Sequence, residues 1–510
     1  MKNISIKKIA AASLITVSLG MLGGGCAKID DFGDTNVNPN GISSPITSAL
    51  LTNVESQLGG FASVLRTAVY SQYIAENQYT DVSLYALPLL EMSGTYSGPL
   101  NDLQVIINYN ADPKTAAIAA ANGSNANQIA IAKILKAYLY WVTTDRWGDI
   151  PYSEALQGAA NLLPKFDKQE DIYFAMISDI KLATSSFDIG TPIKGDIMYN
   201  GDLGKWKKLG NSLRMLMALR LSNRYPAAGG KAAVEFADAY TADGGIMTSN
   251  ADNFTQPYPG GAFKNPWFLV YETRDDYASS KTMGDVLNGL GDTRLSAFGT
   301  NSTMFPTGLT RDLAIAYGNS VGNGQSRVLR ADLRTADAPY VVLPCSIVLL
   351  ASAEGKERGW IPGSASADYA AGVAASFQQW GLTMPAAYLT GGANYAAGAG
   401  VPGSIGAGAA PYDNFRVASS NIQDAATTTA LQRIALQRWI AAFPNGNEGW
   451  AEFRRTGVPN LKTTRFNTGP FVRRYVYGNT DYGLNNANTL EAVGRIAGGD
   501  KQDSHVWWDN

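Results

Sequence analysis

The chain predicts a mainly α-helical fold, with helix pairs that resemble tetratricopeptide units and one long irregular region. Three observations carry that expectation. Apolar residues recur at helical spacing through much of the sequence, as in Ile131, Leu135, Tyr138 and Val142. Few segments alternate with period two, the mark of a half-buried strand. From about Asn250 to Gly324 the periodicity stops and Gly, Pro, Asn and aromatic residues take over. A loop that long inside a compact domain is usually functional.

The elements follow in order. Lys2, Lys7 and Lys8 precede an apolar run from Ile9 to Leu22, shorter than the about 20 residues that a membrane-spanning helix needs. Gly23-Gly24-Gly25 then delivers Cys26. Residues 1–25 therefore read as a lipoprotein signal peptide and Cys26 as the residue acylated after cleavage. Each buried methylene contributes about 0.8 kcal/mol, so several acyl chains hold a protein on a bilayer. Gly23 stands where such signals usually carry Leu, with Leu22 one step further back. Residues 26–46 form a tether with the turn-forming run Asn36-Val37-Asn38-Pro39-Asn40-Gly41.

Helical patterning begins near Thr47, and residues 47–510 read as one helical binding domain with an irregular insertion at about 250–324. A helix from about Asn127 to Thr144 stops before Gly148 and Pro151. Asp167, with Glu170 three residues on, is the expected capping box of a helix whose face is Ile172, Met176 and Ile180. A third helix carries Trp206, Leu209, Leu213, Leu216 and Arg220 and breaks before Pro226. Helices return from about Val348 to Arg358 and from Ala365 to Trp380, the second with a stripe of Tyr369, Val373, Phe377 and Trp380. A Gly/Ala-rich loop from Gly391 to Ala410 precedes a last strong helix from about Asp424 to Phe443. The paired helices resemble tetratricopeptide units without a strict 34-residue period.

Composition removes several function classes. The formal charge is −2, and it falls further once Lys2, Lys7 and Lys8 are lost. With no basic cluster, nucleic acid is not an expected partner. Only 16% of residues are charged, and such a surface suits a neutral polar ligand better than a phosphorylated one. Cys345, in the apolar run Val341-Val342-Leu343-Pro344-Cys345, reads as a small buried hydrophobe, and no Cys-x-x-Cys pair offers a zinc site. The single histidine, His505, reads as a tail residue, which counts against Ser-His-Asp or Cys-His chemistry and against histidine-rich metal sites. No Gly-rich phosphate loop is present. No cofactor or metal is expected; paired carboxylates stay open among 43 acids.

Five motifs then appear in order behind Cys26. They are Tyr140 to Ala155, containing Trp147-Gly148-Asp149-Ile150-Pro151-Tyr152; Trp206-Lys207-Lys208-Leu209-Gly210-Asn211, continuing to Arg220; Ala353-Glu354 with Arg358-Gly359-Trp360; Gln437-Arg438-Trp439-Ile440 followed by Glu452 to Pro459; and Val506-Trp507-Trp508-Asp509. Physically they read as structural. Asn211 is placed to bond backbone in a helix pair, Glu354, Arg454 and Arg455 to form buried ion pairs, and Trp439 to fill the core. Together they resemble the SusD/RagB-type outer-membrane nutrient-binding lipoproteins of the Bacteroidetes, over nearly all of the chain after the leader.

That resemblance implies an outer-membrane lipoprotein facing the cell exterior and seated as a lid on a SusC-like TonB-dependent transporter. It implies a SusD-like α-helical fold of tetratricopeptide-like helix pairs plus a long irregular ligand-facing region, a glycan or oligopeptide ligand, and no catalysis. It also implies that Lys28, Asp30 and Asp31 resemble a surface-export signal.

Sugar rings present apolar faces and hydroxyl rims, so a glycan site wants aromatic faces beside amide, carboxylate or guanidinium groups. Two segments outside the helical pattern offer that mixture: Asn77 to Tyr85, with Tyr96 joining it, and Asn265 to Tyr277. The expected ligand contacts are Trp267, Tyr271, Tyr79, Tyr85, Tyr96, Asn77, Arg274 and Asp275. Met92-Ser93-Gly94 stands where some glycan-binding relatives carry Trp. Three functions are weighed: a glycan-binding module of an uptake complex first, the same architecture binding oligopeptides second, and a two-carboxylate glycoside hydrolase last.

Replacing Cys26 by Ser is expected to move the protein from the membrane pellet to the soluble fraction. Replacing Asp30 and Asp31 by Ala is expected to abolish antibody labelling of intact cells. Unchanged fractionation would remove the lipid from Cys26, and full labelling would show that the two acids are not the export signal.

Overall fold

Periodic apolar stripes produce helices here, and glycines or prolines end them. The computed structural model describes residues 44–76, 79–87, 90–299, 326–386, 388–389, 429–461 and 469–509. Cys26, Lys28, Asp30 and Asp31, together with Asn77, residues 300–324 and the Gly391 to Ala410 loop, lie outside the described residues.

The order opens with α1 (Thr47–Ala62), α2 (Leu65–Tyr70), β1 (Ile74–Glu76), α3 (Asn101–Ala111), α4 (Asn125–Trp147), β2 (Ile150–Pro151), β3 (Phe166–Asp167), α5 (Gln169–Ser185), α6 (Leu203–Arg220) and α7 (Lys231–Tyr240). It continues through β4 (Phe254–Gln256), α8 (Pro266–Glu272), β5 (Tyr277–Ser279), α9 (Lys281–Leu290) and β6 (Tyr340–Leu343). The last part holds α10 (Cys345–Glu357), α11 (Ala365–Gln379), α12 (Ala430–Ala442), α13 (Gly446–Thr456), α14 (Asn479–Leu484) and α15 (Asn486–Gly494).

Successive helices pack on one another. α4 lies against both α3 and α5, α6 against α5 and α7, and α10 against α11 and α12. The contact of α6 with α10 joins the two series, and α13 packs back on α2. Three antiparallel two-stranded ribbons, β1–β5, β2–β3 and β4–β6, tie segments that the helices leave apart. Most helices are buried on more than one face. On α4 the run from Ala137 to Trp147 is buried without a break. That helix ends where Gly148 takes φ +86°, and its N–H bonds Thr144 O at 2.7 Å.

One capping expectation changes. Asp167 caps nothing: β3 pairing with β2 turns its carboxylate to Tyr152 N, Ser153 N and Ser153 Oγ, and α5 begins after Lys168 without a side-chain cap. Capping boxes do form elsewhere, as with Thr429 and Gln432 at the start of α12. The readings of Cys345, Trp439 and Asn211 hold. Cys345 and Trp439 are fully buried, and Asn211 Nδ2 donates to Asp243 O and Gly245 O.

Buried charges centre on α13. Both guanidinium nitrogens of Arg455 reach the Glu354 carboxylate at 2.7 Å, and one also meets Glu452 at 2.7 Å. Arg438 lies 3.2 Å from Glu452, and Arg220 lies 2.8 Å from Glu448 and 3.5 Å from Asp145. Asp145 also accepts from Trp508 Nε1 at 2.7 Å and from the Tyr173 hydroxyl. Arg454 departs from the ion pair expected of it. It donates to Asp145 O and Arg473 O and lies over the Trp450 ring at 3.7 Å, so its charge is met by carbonyls and π-faces. Gly446 lets α13 approach this closely, since a Cβ there would stand 2.1 Å from Ala68 N.

Two glutamates carry opposite pH signatures. Burial alone would raise Glu354, but the guanidinium groups of Arg455, Arg358 and Arg438 outweigh it and hold its carboxyl well below the usual range. Its contribution is present above the unfolded value and lost as pH falls through the folded one. Glu55 on α1 is fully buried, with one oxygen accepting from Ile197 N at 2.7 Å. Burial, and then the negative charge of Asp196, push its carboxyl well above the usual 4.5. Its contribution is complete below the unfolded value and lost as pH rises through the folded one. Glu55→Gln is expected to gain melting temperature on the parent as pH rises from about 5 to about 8. A constant offset between the two melting curves across that range would contradict the assignment. Arg455→Met strands Glu354 and Glu452 without their shared cation and is expected to cost about 3–5 kcal/mol in denaturant unfolding.

Candidate functional site

The β1–β5 ribbon decides where the two expected ligand segments meet. Ile74 pairs with Ser279, Ala75 with Ala278 and Glu76 with Tyr277. The chain leaving β1 and the chain entering β5 therefore emerge side by side, although they are about 200 residues apart in sequence. Buried Glu76 anchors the first of them by accepting from Ser83 N at 2.9 Å and Ser83 Oγ at 2.7 Å. Burial raises its carboxyl despite those two bonds. The turn above it is closed by Leu84 N to Thr80 O and Ala86 N to Asp81 O.

Tyr79 projects from that turn with 69% of its surface exposed. Its φ is +54°, and that of Tyr85 is +60°, a left-handed backbone that costs a non-glycine residue energy and clusters at functional sites. The Arg274 guanidinium lies 5.0 Å from the Tyr79 ring centroid and bonds Asp276 at 2.5 Å. Asp275, beside it, pairs with Arg327 at 3.3 Å. The result is an exposed tyrosine ring with one guanidinium beside it, and a carboxylate, Asp276, on that guanidinium.

The remaining expectations fall elsewhere. Trp267 is corrected: it is fully buried, and no ring face is offered to solvent. Tyr271 is also buried, its hydroxyl donating to Tyr277 O at 3.2 Å and accepting from Val328 N at 2.8 Å. Both corrections have one cause. Residues 266–272 form α8, started by the Asn265 side chain on Trp267 N and by Pro266 in its first turn, and positions 267 and 271 share its inward face. Phe268 and Leu269 lie on the other side, with Leu269 51% exposed. Tyr271 still belongs to the site as support, because its ring lies 5.1 Å from the Arg327 guanidinium and 5.2 Å from that of Arg334.

Tyr85 is a prop as well, its ring set edge-on to Tyr70 at 6.0 Å and tilted on Phe471 at 6.1 Å. Tyr96 joins another region: its hydroxyl donates to Pro151 O and its ring packs on Tyr140, so it takes no part in the Tyr79 face. Asp276, Arg327 and Arg334 were not singled out from sequence. Asp276 sits next to two residues that were; the two arginines lie more than 50 residues away, with no local signal to connect them.

A separate cleft of about 250 Å³ lies between α1 and the turn at 94–99, with Leu58, Phe61, Gln57 and Thr95 in its wall. Among the described residues no group of three or more His, Cys, Asp and Glu is placed to hold a metal ion. No described helix is long and apolar enough to cross a membrane.

Comparison with known proteins agrees on one architecture. A SusD-like family described as starch-binding and associating with the outer membrane matches residues 39–478. Among solved structures, a chitin-binding protein superposes with a TM-score of 0.68 at 26% identity, covering 91% of this chain and 100% of its own. A SusD homologue from Bacteroides uniformis gives 0.71 at 23%, covering 92% and 100%. A chitin-binding SusD homologue from Flavobacterium johnsoniae gives 0.69 at 24%, covering 91% and 98%. No curated protein matches the chain.

Proposed function

Because this chain belongs to the SusD-like family, we propose that it is a non-catalytic glycan-binding lipoprotein of the cell surface, anchored through Cys26 and handing its ligand to a SusC-like TonB-dependent transporter. The observation that carries the ligand class is the exposed Tyr79 ring held beside Arg274, which Asp276 pairs. An aromatic face takes the apolar side of a sugar ring, while the guanidinium and its carboxylate take its hydroxyls in directions the ribbon keeps constant. The chitin-binding protein of similar fold supports a neutral oligosaccharide of chitin or starch type. Arg274 serves as a polar clamp and Tyr79 as the stacking platform; Tyr271, Tyr85 and Trp267 set the shape of the ground beneath them.

Delivery to a transporter follows from placing a binder and its partner in one membrane. The acyl chains confine the protein to the surface where the partner lies, and confinement raises the effective concentration of one for the other.

Calorimetric titration with chito- and malto-oligosaccharides tests the reading. Tyr79→Ala and Arg274→Ala are each expected to weaken binding about tenfold, equivalent to about 1.4 kcal/mol, with unchanged melting temperature. Unchanged affinity in both variants would remove the site from this face. Preference for oligopeptides over every glycan tested would reassign the ligand class. Turnover of a labelled oligosaccharide would overturn the non-catalytic reading.

A further inference from the structure

The helical series holds a second concavity, built from elements that carry none of the Tyr79 face. A cleft of about 200 Å³ is lined by Gln104 of α3, Lys133, Lys136 and Ala137 of α4, Asp179 of α5, and Tyr152 in the turn after β2. Lys133 and Lys136 are three residues apart on one helix, so both ammonium groups face the same side. Lys136 is partly buried, and its Nζ donates to Gln104 Oε1 at 2.6 Å. The Gln104 amide nitrogen is held by Asn108 at 2.8 Å, which keeps the carbonyl turned to the lysine. An ammonium has three donors, so Lys136 keeps two for another partner. Lys133 makes no hydrogen bond or ion pair with the described residues.

The Tyr152 and Asp179 part of the lining is built differently. The Tyr152 hydroxyl donates to Asp179 Oδ2 at 3.1 Å, and the Tyr152 ring is braced edge-on against Tyr140 at 4.7 Å. The other carboxylate oxygen of Asp179 takes no hydrogen bond from the described residues. Burial lowers the affinity of Lys136 for its proton; the charge of Asp179 offsets part of that, and the like charge of Lys133 lowers it by less than Asp179 raises it.

We propose that this cleft is a second binding site, for a uronate: a sugar residue whose carboxylate lies between Lys133 and Lys136 and whose ring hydroxyl donates to Asp179. Three features select this chemistry. The paired lysines ask for an anion. Asp179 repels additional negative charge on its side of the cleft and rewards a hydroxyl donor there, which disfavours phosphate and sulfate. The cleft is small, about 200 Å³, which suits a single sugar ring better than a longer segment. The site is independent of the Tyr79 face, and either assignment can fail without the other.

Titration of the protein with the methyl glycosides of glucuronate and galacturonate, against those of glucose and galactose, tests it directly. The uronates are expected to bind at least about tenfold more tightly than the neutral sugars, as a lost bond to a charged group implies. Lys133→Gln, a change at a partly exposed position, is expected to weaken uronate binding about tenfold without moving the melting temperature, and Tyr79→Ala to leave it unchanged. Asp179→Asn is expected to bind the uronates more weakly and inorganic phosphate more strongly. Equal affinity for charged and neutral sugars would overturn the proposal, as would full uronate binding by Lys133→Gln. N-acetylglutamate or acetate binding as tightly as the uronates would replace it with a peptide-acid site or a general anion site.

Discussion

Everything in the helical frame leans on the ionic contacts of α13. Glu448, Glu452, Arg454 and Arg455 lie on one helix and reach α4, α6, α10 and α12. Removing several charges from water is expensive, and a buried ion pair returns that cost only where its geometry is good and its remaining donors are met. Here the two-pronged contact of Arg455 with Glu354 supplies that geometry, and backbone carbonyls take up Arg454. A network of this kind adds less to stability than to register. Sliding α10 or α12 along α13 by one turn would leave a carboxylate facing apolar side chains, so competing packings are penalised more heavily than they would be in a purely apolar core.

The frame positions the candidate site indirectly. α2 packs on α13 and leads straight into β1, so the ribbon starts from the best-anchored part of the molecule. From there the structure changes character. The Tyr79 turn rests on one buried glutamate, two left-handed tyrosines and a few charged contacts at the surface. Contacts this sparse suit a surface that must accept a ligand, because local opening costs far less there than in the core.

How much of this was legible depended on residue spacing. The helices at 125–147, 203–220, 345–357 and 365–379 were visible because their apolar repeats are long, and Gly148 marks the end of the first. α8 was not, because its seven residues hold only one aromatic i, i+4 pair, and Trp267 with Tyr271 then looks like an aromatic cluster in a loop. Asp167 followed by Glu170 carried a capping signal that a strand pairing overrode, which no local reading reveals. The meeting of Tyr79 with Arg274 depends on a non-local ladder of three residue pairs; composition marked both segments and gave no sign that they adjoin. Arg327 and Arg334 reach Tyr271 only through the tertiary fold.

The three-pair ladder between β1 and β5 also bears on how such a surface diversifies. It fixes the places where two loops leave the frame while asking nothing of their length or composition beyond those points. Either loop is free to be exchanged, lengthened or recoloured with new side chains, and the other stays where it was. A surface built there draws on two separate loops on a common mount, so the number of surfaces the mount can display grows as the product of the variants of each loop, not as their sum.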